Sequence, residues 1–494
     1  MQKRKLNTGK GHDILYISMN AGVVNAVEKQ FIRIENITIE NFKNVKKGTI
    51  SLKNRRKNYR ASTLGLYGQN GSGKTALIDA VQLLRFALCS QPIPEKYAEY
   101  INVEERTSTL KFQFILQQED YCCNLWYQFS MEKVIDESPY HDNKLENSKT
   151  KYKVKIFDEV LSYGYTSNEK KIRKGPLIDT SADGIFLPKS KYQELLGNST
   201  EDVTEMLVTK RLVQEQSRTF IFSREMMRRF RENCQVKLYL DILEGLHRFG
   251  NRELFIIDTE HEGLINMNAL PLAFKYKDDT SESFGSFLLP LNIPASIPEK
   301  AMEIVRKIIA NMNIVLQELV PGLTIDIIDL GPVVEKDGSL GRMIQLMSLK
   351  NNKAIPFRYE SEGIKKIVSI LQLLIVVYNN PSITVAVDEL DAGIFEYLLG
   401  ELLHIISEKG KGQLIFTSHN LRPLETLDKG FVAFTTTNPE NRYIRFTNVK
   451  GTNNLRDFYY RDIVLGEQNE QVYCPTNNYE IALAFREAGE TFVP

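Results

Sequence analysis

The run GQNGSGKT, Gly68 to Thr75, constrains this chain more than any other short stretch in it. It satisfies G-x-x-x-x-G-K-[ST] in full, with the apolar STLGLY before it and the helix-periodic ALIDAVQLLRFAL after it. The expected local structure is strand, glycine loop, helix. Phosphates carry dense negative charge, and a glycine loop turns backbone N–H groups toward them without Cβ obstruction. Asn70, Gly71, Ser72 and Gly73 are the candidate cradle. Lys74 is placed to reach β and γ phosphates, and Thr75 to ligate Mg²⁺. A chance glycine turn is the competing explanation, and the flanking strand and helix argue against it.

A loop of this kind needs a metal-orienting acid at the end of a second strand. SITVAVDELDAG supplies it, with Asp388 for the Mg²⁺ shell and Glu389 to polarise an attacking water. Downstream, GQLIFTSHN puts His419 at the end of another apolar strand. Alone, such a histidine is more often structural; behind the other two motifs it is expected to sense the γ-phosphate.

The order of these motifs, with ESEG before a long helix and LDAG after VAVDE, resembles the ABC-type ATPases of the SMC, RecF and OLD branch. The likeness covers roughly 31–90 and 355–435, and IRIENITIENFKNV looks like the opening strand and turn of that branch. The resemblance implies an α/β fold: an ABC-type P-loop NTPase head with a mixed sheet, an antiparallel β subdomain and a helical insertion. It implies ATP and Mg²⁺ as cofactors, and Phe42 and Lys43 beside the nucleotide. It also implies a homodimer or higher homo-oligomer with ATP sandwiched between subunits. There Ser361 and Gly363 would be the signature residues offered in trans, and Asp391 the D-loop acid. The chain departs from the branch in carrying Glu360 and Glu362 where a leucine and a glycine are usual. A carboxylate beside a triphosphate is unfavourable unless it points away or meets Mg²⁺ or a lysine. Gln117 and Gln118 are the candidates for the Q-loop.

Some 285 residues separate Thr75 from Ser361, and they pattern as strand and loop with one helical block, which argues against a coiled-coil rod. The residues after His419 contain no D-x-D, so no nuclease site is expected in this chain. A compact ATPase without its own nuclease resembles the ATPase components of bacterial antiphage systems, PARIS-like or Septu-like. That resemblance implies an ATPase that regulates a separately encoded effector, a nuclease. The alternatives are a DNA-repair or chromosome-processing ATPase of RecF or SMC type, and a non-hydrolytic nucleotide-dependent scaffold.

Patterning divides the chain into four parts. Residues 1–198 form the first half of the head, with the phosphate loop and a β subdomain, and 199–296 a mainly helical insertion with strands. Residues 297–450 form the second half, and 451–494 a tail that is a candidate partner interface. Alternation over 31–52 and 108–165 predicts antiparallel strands, with a loop at 137–150. An amphipathic helix is expected over 297–319, with strands at 322–333 and 341–349. The last third then alternates: helix 362–378, strand 382–387, helix 394–408, strand 413–417.

A net charge of +1, with 25% charged residues, gives no global field for nucleic acid or membrane. REMMRRFREN gathers Arg224, Arg228, Arg229 and Arg231, a candidate surface for nucleic acid or an acidic partner, or else a solvated helix face. DTEHE, 258–262, clusters metal-type side chains and reads as a polar turn. Cys89, Cys122, Cys123, Cys234 and Cys474 suit neither zinc nor a disulfide framework, so reduced thiols in a cytoplasmic protein are expected. No signal peptide and no membrane span are expected. The tyrosines and phenylalanines of the tail are either interface anchors or plain packing.

Overall fold

The structure, a computed structural model, describes residues 30–53, 62–118, 120–136, 151–167, 171–181, 189–197, 202–257, 269–277, 282–334, 338–350, 353–447, 454–466 and 468–490. They fall into two compact units. The larger takes in residues 28–267, 362–367 and 374–494, the smaller 268–361 and 368–373.

The larger unit is built on a mixed sheet in the order β18 (Tyr443–Ile444), β17 (Val432–Thr435), β3 (Ser62–Tyr67), β16 (Gln413–Thr417), β15 (Thr384–Val387), β8 (Leu254–Ile257). The five strands from β17 to β8 are parallel, and only β18 runs antiparallel at its edge. Every residue of β3, β8, β15, β16 and β17 is buried, as expected of parallel strands covered on both faces. Helices α1 (Lys74–Leu88), α8 (Glu396–Lys409) and α9 (Pro423–Thr426) follow β3, β15 and β16 in the chain.

A second, antiparallel sheet has the order β2 (Val45–Ser51), β1 (Phe31–Phe42), β4 (Thr107–Gln117), β5 (Tyr121–Ile135), β6 (Tyr152–Ser167), β7 (Lys171–Asp179). On β4 burial alternates strictly, turning Leu110, Phe112, Phe114 and Leu116 into the core. Each such side chain contributes roughly 1.5–3 kcal/mol of burial. Gln413 joins the two sheets: its Oε1 accepts from Ile34 N and its Nε2 donates to Ile34 O, both at 2.8 Å.

The helical block comprises α2 (Lys189–Leu196), α3 (Asp202–Glu215), α4 (Arg224–Asn233) and α5 (Lys237–Arg248). Glu159 on β6 pins it. The carboxylate accepts from Tyr127 OH at 2.8 Å, Phe220 N at 2.6 Å and Ile221 N at 3.2 Å. Burial pushes the Glu159 carboxyl up to about 7 even though these bonds pull the other way.

In the smaller unit β9 (Ala269–Lys277) and β10 (Glu282–Pro290) pair as a hairpin. A further sheet holds β11 (Ala295–Pro298), β13 (Leu340–Lys350), β12 (Leu323–Val334) and β14 (Lys353–Pro356). Helix α6 (Met302–Leu319) buries Val305, Ile308, Ile309, Met312 and Leu316, and Asn313 ties it to β12 by exchanging two 2.8 Å bonds with the Ile325 backbone. Helix α7 (Glu362–Asn379) follows. Near the C-terminal end lie α10 (Leu455–Leu465) and α11 (Asn478–Glu490).

The architecture matches the α/β head with mixed sheet, β subdomain and helical insertion. Two boundaries differ. The helix expected from 297 begins at Met302, because Ala295–Pro298 is a strand and a short 3₁₀ turn follows it. The 199–296 insertion is not one body: 202–257 belongs with the phosphate loop, and 269–296 with the smaller unit. The reason is pairing, since β11 straddles the expected boundary and bonds to β13. The loop at 137–150 and DTEHE lie outside the described residues. Among those residues no helix is long and apolar enough to cross a membrane.

Candidate nucleotide site

The phosphate loop turns between β3 and α1. Gly68 has φ 153°, and a Cβ there would fall 1.7 Å from Thr435 Oγ1, so the loop can start only with glycine. Lys74, the first residue of α1, folds back: its Nζ donates to Gly68 O at 2.8 Å and to Gln69 O at 3.0 Å. An ammonium has three donors, so these two bonds brace the loop and leave one N–H for a ligand. Burial lowers the Lys74 pKa, opposed by Asp388, Glu389 and Asp391.

These groups surround one cavity of about 760 Å³. Asn70, Gly71, Gly73, Lys74 and Thr75 line it from the loop, so the N-terminus of α1 faces it. Asp388, Glu389 and Asp391 line it from the segment after β15, and Thr417 and His419 from the end of β16. Parallel pairing of β15 with β16, and of β16 with β3, brings the three strand ends to one edge. Ligands of open parallel sheets bind at that edge.

Local bonds fix the acids. Asp388 is buried and accepts from Thr417 Oγ1, which in turn accepts from Glu389 N at 2.8 Å. Glu389 sits at φ 47°, a left-handed conformation uncommon for a non-glycine and often found at functional sites. Asp391 Oδ2 accepts from His419 N at 3.1 Å and Asn420 N at 2.9 Å. The ammonium of buried Lys366, on α7, is lowered by burial and raised by Asp391, Asp388 and Glu389 in that order.

Asp388 and Thr75 offer a carboxylate and a hydroxyl to one cavity, the hard oxygen donors that suit Mg²⁺. Among the described residues no three His, Cys, Asp or Glu side chains gather into a protein-only metal cage.

Several expected residues lie elsewhere. Phe42 is fully buried, its ring edge-on to Tyr100, and does not reach the cavity. Lys43 does line it, but its ammonium pairs with Asp79 and lies 3.9 Å from the Tyr100 ring centroid. Ser72 uses its hydroxyl on Thr435 and on Gln69 O. Ser361 is exposed just before α7. Gly363 packs on Gly393, where an added Cβ would come 2.4 Å from Gly393 O; neither it nor Ser361 is in the lining. Gln117 and Gln118 are at the end of β4, off the cavity. The two unusual glutamates have partners in their own chain: Glu362 pairs with Lys365 at 2.9 Å, and Glu360 accepts from Ser348 Oγ.

The arginine cluster on α4 is largely neutralised. Arg228 pairs with Glu225 and Glu232, Arg229 with Glu205 and Glu225, and Arg231 with Glu244. These pairings weaken the cluster as a phosphate-binding stripe. In the tail, α10 packs onto the central sheet: Tyr459 stacks at 4.8 Å on Phe434, and Phe434 at 3.9 Å on Phe446.

Sequence reasoning missed Asn44, Ala76, Ala392 and Thr417 in the lining. Thr417 had a signal, being the one hydroxyl at the end of the fully buried QLIFT strand.

The family described as an AAA domain matches residues 36–246. The matched stretch begins in β1 and carries the phosphate loop, in keeping with an α/β P-loop head. No curated protein matches the chain. Among solved structures it is similar to the Smc head domain with an extended coiled coil bound to the C-terminal domain of ScpA from Pyrococcus furiosus. There the identity is 11%, the TM-score 0.37, and the alignment covers 84% of this chain and 96% of that one. It is similar also to the SMC head domain from Thermotoga maritima, at 12% identity, TM-score 0.33 and coverage of 84% and 99%. For the recombination mediator RecF with ATP the values are 13%, 0.31, and 78% and 92%.

Proposed function

We propose that this chain is a Mg²⁺-dependent ATP hydrolase working in homo-oligomers around shared ATP sites. What carries the proposal is the convergence of Lys74, Thr75, Asp388, Glu389 and His419 on one cavity. The loop N–H groups and Lys74 hold the triphosphate, and Thr75 with Asp388 would hold the metal. Bound Mg²⁺ would neutralise charge on the β and γ phosphates. Glu389 takes a proton from the attacking water, its oxygen bonds to the γ-phosphorus, and the bond to the ADP oxygen breaks. His419 contacts the γ-phosphate. Ser361, Gly363 and the first turn of α7 complete the site of a second copy, with helix N–H groups toward the γ-phosphate. The partners of Glu360 and Glu362 support this, because neither carboxylate is left unmatched for a triphosphate to meet.

The test is ATP turnover by the purified protein. Lys74→Ala is expected to lose ATP affinity. Glu389→Gln is expected to keep affinity, lose turnover and accumulate nucleotide-bound dimers. Wild-type turnover in Glu389→Gln would remove the catalytic assignment, and no turnover in the wild type would favour a scaffold.

Two cellular uses fit such a cycle. The first is DNA repair or chromosome processing, for which duplex DNA should stimulate turnover in a salt-dependent way. The second is control of a separately encoded effector, a nuclease in antiphage defence. Turnover indifferent to DNA, with a nuclease co-purifying, would favour it.

A further inference from the structure

The phosphate loop is gripped by residues far along the chain. Thr435 bonds Ser72 through their hydroxyls, and Tyr443 OH donates to Gly73 O at 2.9 Å. Arg442 donates to Asn44 O, and Asn44 donates in turn to Gly71 O. Those contacts come from the sheet edge and the β1–β2 turn. One more comes from an irregular segment: Cys474 N donates to Gln69 Oε1 at 3.0 Å.

Residues 468–477 form no helix or strand, yet they are laid down firmly. Gln468 N donates to Asp462 Oδ1 at 2.9 Å. Asn441 and Asn438 donate to the Glu470 carboxylate at 2.9 and 3.1 Å. Thr437 N donates to Gln471 O at 2.8 Å, and Val472 is buried. The segment therefore runs along the β17–β18 turn and finishes on the second residue of the phosphate loop.

Gln69 has a double task there. Its side chain holds the segment through Cys474 N, while its backbone carbonyl holds Lys74 Nζ and Ser72 N. A displacement of the segment is thus handed, through one residue, to the carbonyl that aims the lysine. We propose that 468–477 is a strap whose seating on Gln69 is coupled to nucleotide binding, with Gln69 as the positioning residue. Binding at the cavity favours the seated strap, and by linkage the seated strap favours binding by the same factor. This rests on the nucleotide-site assignment above.

A single neutral hydrogen bond sets the scale of the coupling at about 3- to 10-fold in affinity. The variants are Gln69→Leu, which removes the acceptor, and Cys474→Pro, which removes the donor. ATP titration with Mg²⁺ on the full chain is expected to give a 3- to 10-fold weaker Kd for Gln69→Leu and for Cys474→Pro. The double variant should be no weaker than the worse single one. KM should rise in parallel with Kd while the thermal unfolding midpoint without ATP holds, a split that general destabilisation would not produce. In hydrogen exchange of the wild type, ATP should slow the Cys474 amide.

Multiplying losses in the double variant, or a Cys474 amide indifferent to ATP, would overturn the strap. If the wild type fails to bind ATP at all, the nucleotide-site assignment falls instead, so the two failures are distinguishable.

Discussion

The backbone N–H of His419 donates to Asp391 Oδ2 at 3.1 Å, so a carboxylate from the segment after β15 holds the turn that follows β16. The same oxygen takes Asn420 N at 2.9 Å. One carboxylate thereby fixes the turn after β16 while its neighbours Asp388 and Glu389 face the cavity.

Removing that carboxylate should free the His419 turn without touching the phosphate loop. Asp391→Ala is expected to lower kcat about 10-fold or more, the cost of misplacing a charge-stabilising group. Its ATP Kd should stay within about 3-fold of wild type. Steady-state turnover beside an ATP titration checks both numbers; a kcat like that of wild type would contradict the anchoring role.

Gly363 meets the backbone at Gly393, and a methyl there would lie 2.4 Å from Gly393 O. A contact that short must push α7 and the segment after β15 apart. Gly363→Ala is expected to destabilise by roughly 1–3 kcal/mol, as overpacking does, and to lower turnover. Chemical denaturation measures the first effect, and an unchanged denaturation midpoint would show that the contact yields.

Ser361 is exposed and outside its own chain's cavity, so a bulky cation there should spare ATP binding to the single chain. Ser361→Arg is expected to abolish ATP-dependent association and hydrolysis together. Mass photometry with and without ATP reads the association. Survival of both properties would defeat the shared-site proposal.

Glu159 gives the protein a pH dependence of known sign. Burial raises its folded-state pKa to about 7, above an unfolded value near 4.5. Between those limits the folded state binds the extra proton, so stability from this group is full below about 4.5 and declines as pH rises through about 7. The size is of the order of 1–3 kcal/mol. A glutamine in its place can still accept from Phe220 N and Ile221 N and still meet Tyr127 OH, but has no proton to lose. Glu159→Gln should match wild type at pH 5 and exceed it at pH 8, as thermal denaturation at the two pH values would show.

Much of the cavity lining was legible because each motif ends an apolar strand with a polar group. Asp388 ends TVAV, and His419 follows QLIFT, so strand and chemistry could be read together. Phe42 was misplaced for a local reason. Asn41 and Lys43 both take positive φ, 57° and 52°, which turns Phe42 inward and leaves Lys43 and Asn44 at the cavity. No side-chain pattern announces such a turn in a lysine. The partition of 199–296 depended on β11 pairing with β13, a long-range choice that alternation alone does not fix. The grip on Gln69 was invisible for another reason: its donor is a backbone N–H, 405 positions away.

The strand order of the central sheet also sets a timetable. β3, which leads into the phosphate loop, has β16 and β17 as its only neighbours, and their registers pair 62–66 with 413–417 and 65–67 with 432–434. A nascent chain that has just made the loop must extend by some 350 residues before the first of those strands exists. At about 5–20 residues per second that is an interval on the order of 20–70 s. The antiparallel meander from β4 to β7 pairs neighbours in sequence and can close during that wait, at low contact order. The apolar β3, by contrast, waits for both its partners, so the candidate nucleotide site is assembled late in synthesis.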